Sequence, residues 1–213
     1  MKKIFEDNPD INKTAYLNWR MQKHDPIHNF MVLGDGYLCS AIELAKGCLK
    51  NNEDKKADML IFPILHNANH GIELYLKALI KTIDFLLNNK ESDVFSHNIF
   101  ALYKLVRERL LEHKDQDWLN DFDSQNHNLK EYLDELFPLI QLTDKYVNTD
   151  FPRYPQTLKK KNPFYVDELS NVVIDLENFV ERFEVIQKSL AERVEYFYYV
   201  EFELSNQKTN VKK

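Results

Sequence analysis

The chain has 213 residues and a formal net charge of -6 at pH 7, with 44% hydrophobic and 13% aromatic residues. A chain of this size can bury a substantial core as one domain, while the net negative charge argues against a general electrostatic attraction to nucleic acid. Only four glycines are present, which argues against a nucleotide-cradling loop and a turn-rich β-sandwich and predicts an all-α fold, since both alternatives need positive φ angles.

The first segment, residues 1–34, is predicted to be a polar lead-in to the fold. It lacks the apolar centre of a signal peptide, and no apolar run in the chain approaches the roughly 18 residues of a membrane-spanning helix. Cys39 and Cys48 lie on one predicted helix, more than about 13 Å apart by helical rise, so they cannot form a disulfide. We therefore expect a cytoplasmic protein with free thiols and no membrane association.

Apolar residues recur at steps of three and four over two long stretches, which predicts two helices. The first begins at Asp35, a suitable N-cap, and ends before the polar run at 51–56. The second runs from Asp58 to Leu87 and is the longest apolar segment, so we expect it to be the central helix. At about 100° per residue, its polar side chains fall within about 80° of one another. This polar stripe consists of His66, His70, Glu73, Lys77, Lys81 and Asp84.

Three segments follow the central helix. Residues 99–113 are predicted to be helical because their apolar residues share one face, with Ser96 as the expected N-cap. The polar stretch 114–128 is either a short helix or an ordered connection. Residues 129–140 form a helix that Pro138 interrupts or bends, and which continues weakly toward Tyr146.

The last long helix is predicted to begin at Asp167 and to close the bundle through heptad-like spacing. The prolines of TDFPRYPQTLKKKNP before it exclude a helix and make a semi-rigid loop. After it, the aromatic stretch 196–204 either continues the helix or forms a short strand, because apolar and acidic residues alternate there. The predicted organisation is a lead-in at 1–34, a bundle at 35–195 and an aromatic, then basic, tail at 196–213. The bundle is an antiparallel up-and-down arrangement of four to five long helices with short additional helices.

Three motifs together resemble the HEPN superfamily. In that superfamily the second helix often has a histidine-rich run followed by an IELYLKALL-like segment, which is similar to HNANHGIELYLKALI at 66–80. A His-Asn or His-Asp pair then opens the next helix, which is similar to SHNIFALYKLV at 96–106. DFPRYPQT at 150–157 resembles the RYP loop of the branch associated with minimal nucleotidyltransferases and with prokaryotic defence and toxin systems. The resemblance covers roughly residues 37–195.

The resemblance implies a four- or five-helix bundle, usually dimeric, and in many members a metal-independent ribonuclease. In such a site a histidine transfers the proton and an arginine stabilises charge on the phosphorane. Arg107 and His113 match the family signature, an arginine followed by a histidine after four to six intervening residues. On a regular helix these two side chains point about 120° apart, so they converge only if the helix ends or bends between them. Arg109 shares a face with His113, at a spacing outside the signature.

The polar stripe has three interpretations: a hydrogen-bonded network that fixes helix register, a metal site in which His97 joins two stripe histidines, and a ligand or RNA site. We favour the network, because a mostly buried helix cannot leave His70, Glu73 and His97 unpaired. The candidate ligand-binding residues are His66, His70, Glu73, Lys77, His97 and Asn98. We expect no metal and no other cofactor.

The proline-stiffened loop presents Arg153 and Tyr154, with three lysines at 159–161 close behind. This arrangement suits a phosphate backbone or a nucleotide, because a guanidinium binds paired oxygens through a planar fork. The equal alternative is that Arg153 pins the loop to a carboxylate such as Glu73. Both residues are candidate ligand-binding residues.

The leading interpretation is a HEPN-like protein that acts on or around RNA in a bacterial defence or toxin–antitoxin context, with metal-independent endoribonuclease as its candidate activity. The competing interpretation is a non-catalytic module that binds a nucleotide or a protein partner encoded nearby. The apolar and aromatic surface of the last helix and tail predicts a homodimer. The same aromatic residues could stack nucleic-acid bases, but the flanking glutamates repel phosphate, so packing against the bundle or a second subunit is favoured.

Overall fold

The computed structural model describes residues 3–88, 96–141 and 172–202. This part of the chain contains six packed α-helices and no strand, so the predicted all-α bundle is confirmed. The helices are α1 (Pro26–Lys50), α2 (Ala57–Leu86), α3 (Ile99–His113), α4 (Gln116–Gln125), α5 (His127–Gln141) and α6 (Leu176–Glu195). A short 3-10 helix, Ile11–Lys13, precedes α1, and a π-helix, Tyr196–Phe202, follows α6.

Helix α2 is the centre of the fold, as its apolar periodicity predicts. Residues 71–80 are all buried, and the helix contacts α1, α3, α6 and the π-helix. Its ends lie within one residue of the predicted bounds. Because α2 is surrounded on most sides, any charged group on it needs a partner from a neighbouring helix. Over the described ranges, no helix is long and apolar enough to cross a membrane.

Helices α1 and α2 are antiparallel and pack closely at two glycines. A Cβ on Gly71 would lie 2.6 Å from Leu38 Cγ and 3.0 Å from the carbonyl oxygen of Gly34. The absence of a side chain at Gly71 therefore sets how closely the two backbones approach. Tyr37 of α1 also contacts His70 of α2, with ring centroids 4.5 Å apart.

The predicted start of α1 at Asp35 is wrong. The helix begins at Pro26, and the carboxylate of Asp25 caps it by accepting the backbone N–H of His28 at 2.8 Å. Proline is favoured at a first helical position because a backbone N–H there has no partner within the helix, so its absence loses no hydrogen bond. Asp35 lies inside α1 and accepts a hydrogen bond from Gln187 of α6 at 2.7 Å. Residues 26–34 therefore belong to the bundle rather than to a lead-in.

Helix α3 runs in the same direction as α2, which departs from up-and-down alternation. His97, just before α3, contacts Glu73 in the middle of α2, and Arg109 near the end of α3 contacts Asp84 near the end of α2. Both buried carboxylates of α2 can therefore pair with α3.

The helices predicted after α3 are present, but their first and last residues differ from the predicted bounds. The stretch 114–128 contains α4, and α5 continues through Pro138 to Gln141. Ser96 is not the N-cap of α3; the cap is Asn98, whose side-chain oxygen accepts the N–H of Ala101 at 3.0 Å. The predicted continuation toward Tyr146 lies outside the described residues.

The final helix begins later than predicted. Asp167 lies outside the described residues, but 172–175 are not helical, and α6 starts at Leu176 with Asp175 as its N-cap. The cap carboxylate accepts the N–H groups of Glu177 and Asn178. In the sequence, the helical spacing of apolar residues continues on both sides of Asp175. Periodicity therefore could not locate the start of α6.

The strand alternative for the aromatic stretch is also wrong, because Tyr196–Phe202 continues α6 as a π-helix. Phe197 and Tyr198 are buried in the bundle. The Phe202 ring lies 4.6 Å from that of Phe85 on α2, and the Tyr198 hydroxyl bonds Asp25 at the start of α1. The described tail residues therefore pack largely against their own bundle.

Gly71→Ala is expected to destabilise the protein by about 1–3 kcal/mol, because the new methyl group overlaps α1 and outweighs the gain in helix propensity of about 1 kcal/mol. Gly47→Ala is the matched control on α1, since no atom lies within 4 Å of its added Cβ. It should be neutral or stabilising. Thermal unfolding followed by circular dichroism checks both, and equal melting temperatures for the two variants would contradict the close approach at Gly71.

Candidate functional site

The polar stripe of α2 centres on Glu73, whose side chain is 8% exposed. Its Oε1 atom accepts a hydrogen bond from Lys77 Nζ at 2.7 Å and lies 3.0 Å from His97 Nδ1. On the other side, His70 Nδ1 lies 3.6 Å from Oε2. The predicted network of His70, Glu73 and His97 is thus present, with Lys77 as a fourth member. We call these four residues the Glu73 site.

The partners of Glu73 keep its carboxylate ionised. Burial raises the pKa of this group, but the hydrogen bonds with His70 and Lys77, together with the electrostatic effects of Lys77 and His97, outweigh burial and lower the pKa from 4.5 to about 2. Such a carboxylate is a poor general base near neutral pH, since it holds a proton only weakly. Its role at the site is therefore to fix the cationic groups around it.

Imidazole rings form the outer face of the Glu73 site. The side chain of His97 is 63% exposed and that of His70 is 31% exposed. The rings of His66 and His70 are stacked, with centroids 5.8 Å apart and planes 8° from parallel, and Tyr37 meets His70 edge-on. A buried ion pair thus lies beneath a partly exposed group of aromatic and imidazole rings.

Asn98 has a structural role next to this surface, because its side chain caps α3. Within the part of the chain that the structure describes, no group of three or more His, Cys, Asp or Glu side chains is arranged to hold a metal ion. At the Glu73 site, the ammonium group of Lys77 neutralises the buried carboxylate.

The far end of the stripe forms a second connection to α3. Asp84 has a side chain only 3% exposed and lies 2.6 Å from Arg109 Nε. Arg109 also contacts Glu112, one turn further along α3. Because this pair is buried on the α2 side, breaking it would leave an unpaired charge inside the bundle. Asp84 and Arg109 therefore hold the end of α3 against α2.

The structure directs Arg107 and His113 to different partners. Arg107 binds Asp123 of α4 through two hydrogen bonds, Nε to Oδ1 at 2.8 Å and Nη2 to Oδ2 at 2.7 Å. His113 Nε2 lies 2.8 Å from Oε2 of Glu201 in the π-helix. Helix α3 runs without a break up to His113, so the bend that would bring these two side chains together is not present.

Arg153 and Tyr154 lie outside the described residues, so their predicted roles remain predictions. The other candidate residues are described, and four of the six on or beside the stripe form the Glu73 site. Sequence reasoning missed Tyr37, Asp123 and Glu201. Tyr37 lies in the predicted first helix, but only the packing of α1 against α2 shows that it contacts His70. Asp123 and Glu201 are distant in sequence from their partners and carry no local signal.

Comparison of the chain with protein-family models, with curated proteins and with solved structures gives no match. The chemistry of the site therefore has to be inferred from its own geometry.

Glu73→Gln is expected to remove part of the acid sensitivity of folding. The pKa of Glu73 is lower in the folded protein than its ordinary value, so its ionised form adds stability above pH 4.5 that is lost as the pH falls toward 2. A shift of this size corresponds to about 3 kcal/mol. The free energy of unfolding can be measured with urea at several pH values between 2 and 6. Its decrease toward low pH should be smaller in the variant than in the parent by about 3 kcal/mol.

Glu192→Gln is the control for this measurement, because Glu192 is an exposed residue of α6 paired loosely with Lys188. It should keep the acid sensitivity of the parent protein. If Glu73→Gln also lost stability as steeply as the parent between pH 4.5 and 2, the ionic network around Glu73 would be contradicted.

Proposed function

We propose that this protein is a HEPN-like helical module that binds RNA or a nucleotide at the imidazole surface over the Glu73 site, without cleaving it. The observation that carries the proposal is the buried Glu73–Lys77 ion pair beneath the partly exposed rings of His70 and His97. Flat rings held by a fixed support are suited to stacking on unpaired bases, which stack on histidine as on other aromatic side chains. Ring N–H groups can also donate to phosphate or base oxygens.

Binding is preferred over cleavage because of how the candidate catalytic residues are held. A metal-independent ribonuclease needs a proton-transfer group and a cation facing the same phosphate. Here the Arg107 guanidinium is engaged by both oxygens of Asp123, and the His113 ring is engaged by Glu201. The carboxylate of Glu73 has too low a pKa to replace His113 as a base. Endoribonuclease activity is therefore the second candidate, supported by the spacing of Arg107 and His113 alone.

The bacterial defence or toxin–antitoxin context is part of the same proposal and rests on the resemblance of the three motifs at 66–80, 96–106 and 150–157. We also propose a homodimer. The surface that supports it is different from the C-terminal surface that the sequence suggested. The segment before α1 exposes Leu17 and Trp19, and an open apolar groove of about 560 Å³ lies between this segment and α1 near Val32 and Leu33. Such surface is more than an isolated bundle usually leaves exposed, and light scattering would test whether two copies share it.

Binding to a single-stranded RNA oligonucleotide, measured by fluorescence anisotropy, should weaken by about 5- to 30-fold in His70→Ala and in His97→Ala. The reason is that loss of one stacking ring costs about 1–2 kcal/mol per base. His127→Ala is the control, since His127 is an exposed histidine on α5, away from the stripe. Equal binding by all three variants would contradict the proposed site.

The same RNA incubated with the protein in chelator should remain intact. Cleavage that disappears in His113→Ala would contradict the proposal and establish the ribonuclease candidate instead. Circular dichroism of each variant confirms that a loss of binding or cleavage does not reflect unfolding.

A further inference from the structure

A second charged cluster lies where α3 ends, on a different set of residues from the Glu73 site. Its centre is the carboxylate of Glu201, 13% exposed, which the π-helix places between two basic side chains. His113 Nε2 lies 2.8 Å from Oε2, and Lys114 Nζ lies 2.7 Å from Oε1. Burial raises the pKa of Glu201, but Lys114 and His113 outweigh it and lower the pKa overall. Each carboxylate oxygen of Glu201 thus has a basic side chain beside it, His113 at Oε2 and Lys114, as an ion pair, at Oε1.

Trp118 of α4 forms an aromatic wall beside this cluster. Lys114 Nζ lies 5.1 Å from the centroid of its ring, and the guanidinium carbon of Arg193 lies 5.6 Å away. The ring of Tyr196, the first residue of the π-helix, lies 5.4 Å from the same indole. Lys114 and Arg193 therefore both lie against Trp118, and Lys114 also joins this ring to the carboxylate of Glu201 that His113 contacts.

Arg193 has a donor that the fold does not use. Its Nη2 atom donates to Asp121 at 2.6 Å and to Gln125 at 2.8 Å. Its Nε atom is buried and has no hydrogen-bond partner within the described ranges, in a residue that is only 7% exposed. A buried N–H without a partner costs free energy, about 1–3 kcal/mol, and such a group is a ready donor for a ligand.

We propose that His113, Lys114 and Arg193 form a phosphate-binding site beside Trp118, and that Glu201 occupies this site from the π-helix in the free protein. Cationic N–H donors aimed at two oxygens of one anion are the arrangement with which proteins hold phosphate groups. A phosphate monoester or a pyrophosphate presents more oxygens than the two of a carboxylate, so it can accept a further hydrogen bond beside Trp118, where Arg193 also lies. Glu201 then acts as an internal competitor, and the ligand class is a phosphate monoester, a phosphodiester or a pyrophosphate.

The segment that carries Glu201 is suited to being displaced. A π-helix is less favourable than an α-helix and recurs at functional sites, and Glu201 is carried by such a helix. Its residues Tyr199 and Val200 are exposed, whereas Phe197 and Tyr198 belong to the core. Movement of the last turn alone, residues 199–202, would release Glu201 while Phe197, Tyr198 and α6 keep their packing. The inference does not depend on the binding proposed at the Glu73 site, because the two sites share no residue.

The test uses the full chain with Trp19→Phe, which leaves Trp118 as the only tryptophan, since the sequence contains two. Inorganic pyrophosphate is titrated while Trp118 emission is followed. Glu201→Gln should bind pyrophosphate about tenfold more tightly than the parent, because the internal competitor loses its charge. Adding Lys114→Ala to that variant should abolish the gain. Glu195→Gln is the matched control, since it removes the same charge from the exposed residue just before the π-helix.

Equal affinities in Glu201→Gln and Glu195→Gln would overturn the proposal, because net charge alone would then account for binding. A second measurement covers the case in which Glu201→Gln does not fold. In the parent protein, hydrogen exchange of the backbone amides at 199–202 should accelerate when pyrophosphate is present in excess, while those of α6 stay protected. Unchanged exchange at 199–202 in excess pyrophosphate would equally overturn the proposal.

Discussion

The structure depends on how a buried carboxylate on the central helix is neutralised. Glu73 sits where α2 is enclosed by other helices, and an isolated charge there would be strongly unfavourable. Lys77, one turn along the same helix, supplies the nearest opposite charge. His97 supplies a contact from the chain that enters α3. The electrostatic requirement of one side chain thereby fixes where α3 begins.

The same requirement recurs at Asp84, and together the two carboxylates set the direction of α3. Asp84 pairs with Arg109 near the end of α3, as Glu73 pairs with His97 at its start. The two contacts are in the same order along both helices, so α3 must lie parallel to α2. This placement leaves the rings of His70 and His97 on the surface above the ion pair, where they can meet a ligand. The proposed binding surface is therefore a consequence of how the buried carboxylates of α2 are paired.

Local patterns in the sequence were sufficient for part of this description. Apolar periodicity located α2 and α3 closely, and the geometry of 100° per residue placed His70, Glu73 and Lys77 on one face before any contact was known. The need to pair a buried charge then predicted the contact with His97. Each of these inferences uses residues that are close in sequence or that belong to one helix.

The predictions that differ from the structure concern helix ends and contacts between residues that are distant in sequence. Asp35 and Asp25 are both plausible caps, and the proline after Asp25 was the signal that distinguishes them. The cap at Asp175 interrupts an apolar pattern that continues through it. The partners of Arg107 and His113, namely Asp123 and Glu201, come from other elements, and one sequence holds no periodic signal for such pairs. The spacing of Arg107 and His113 makes a joint site conditional on a bend in the helix, and α3 runs without a break up to His113.

The most direct test of the account is a double-mutant cycle on Glu73 and Lys77, with urea unfolding of the parent, Glu73→Gln, Lys77→Met and the double variant at pH 7. Each single change leaves a buried group without its partner, so each should cost several kcal/mol, while the double variant should cost less than the sum. We predict a coupling energy of about 1.5–3 kcal/mol. Single costs that add to within about 0.5 kcal/mol would contradict the claim that this ion pair organises the helix and the site above it.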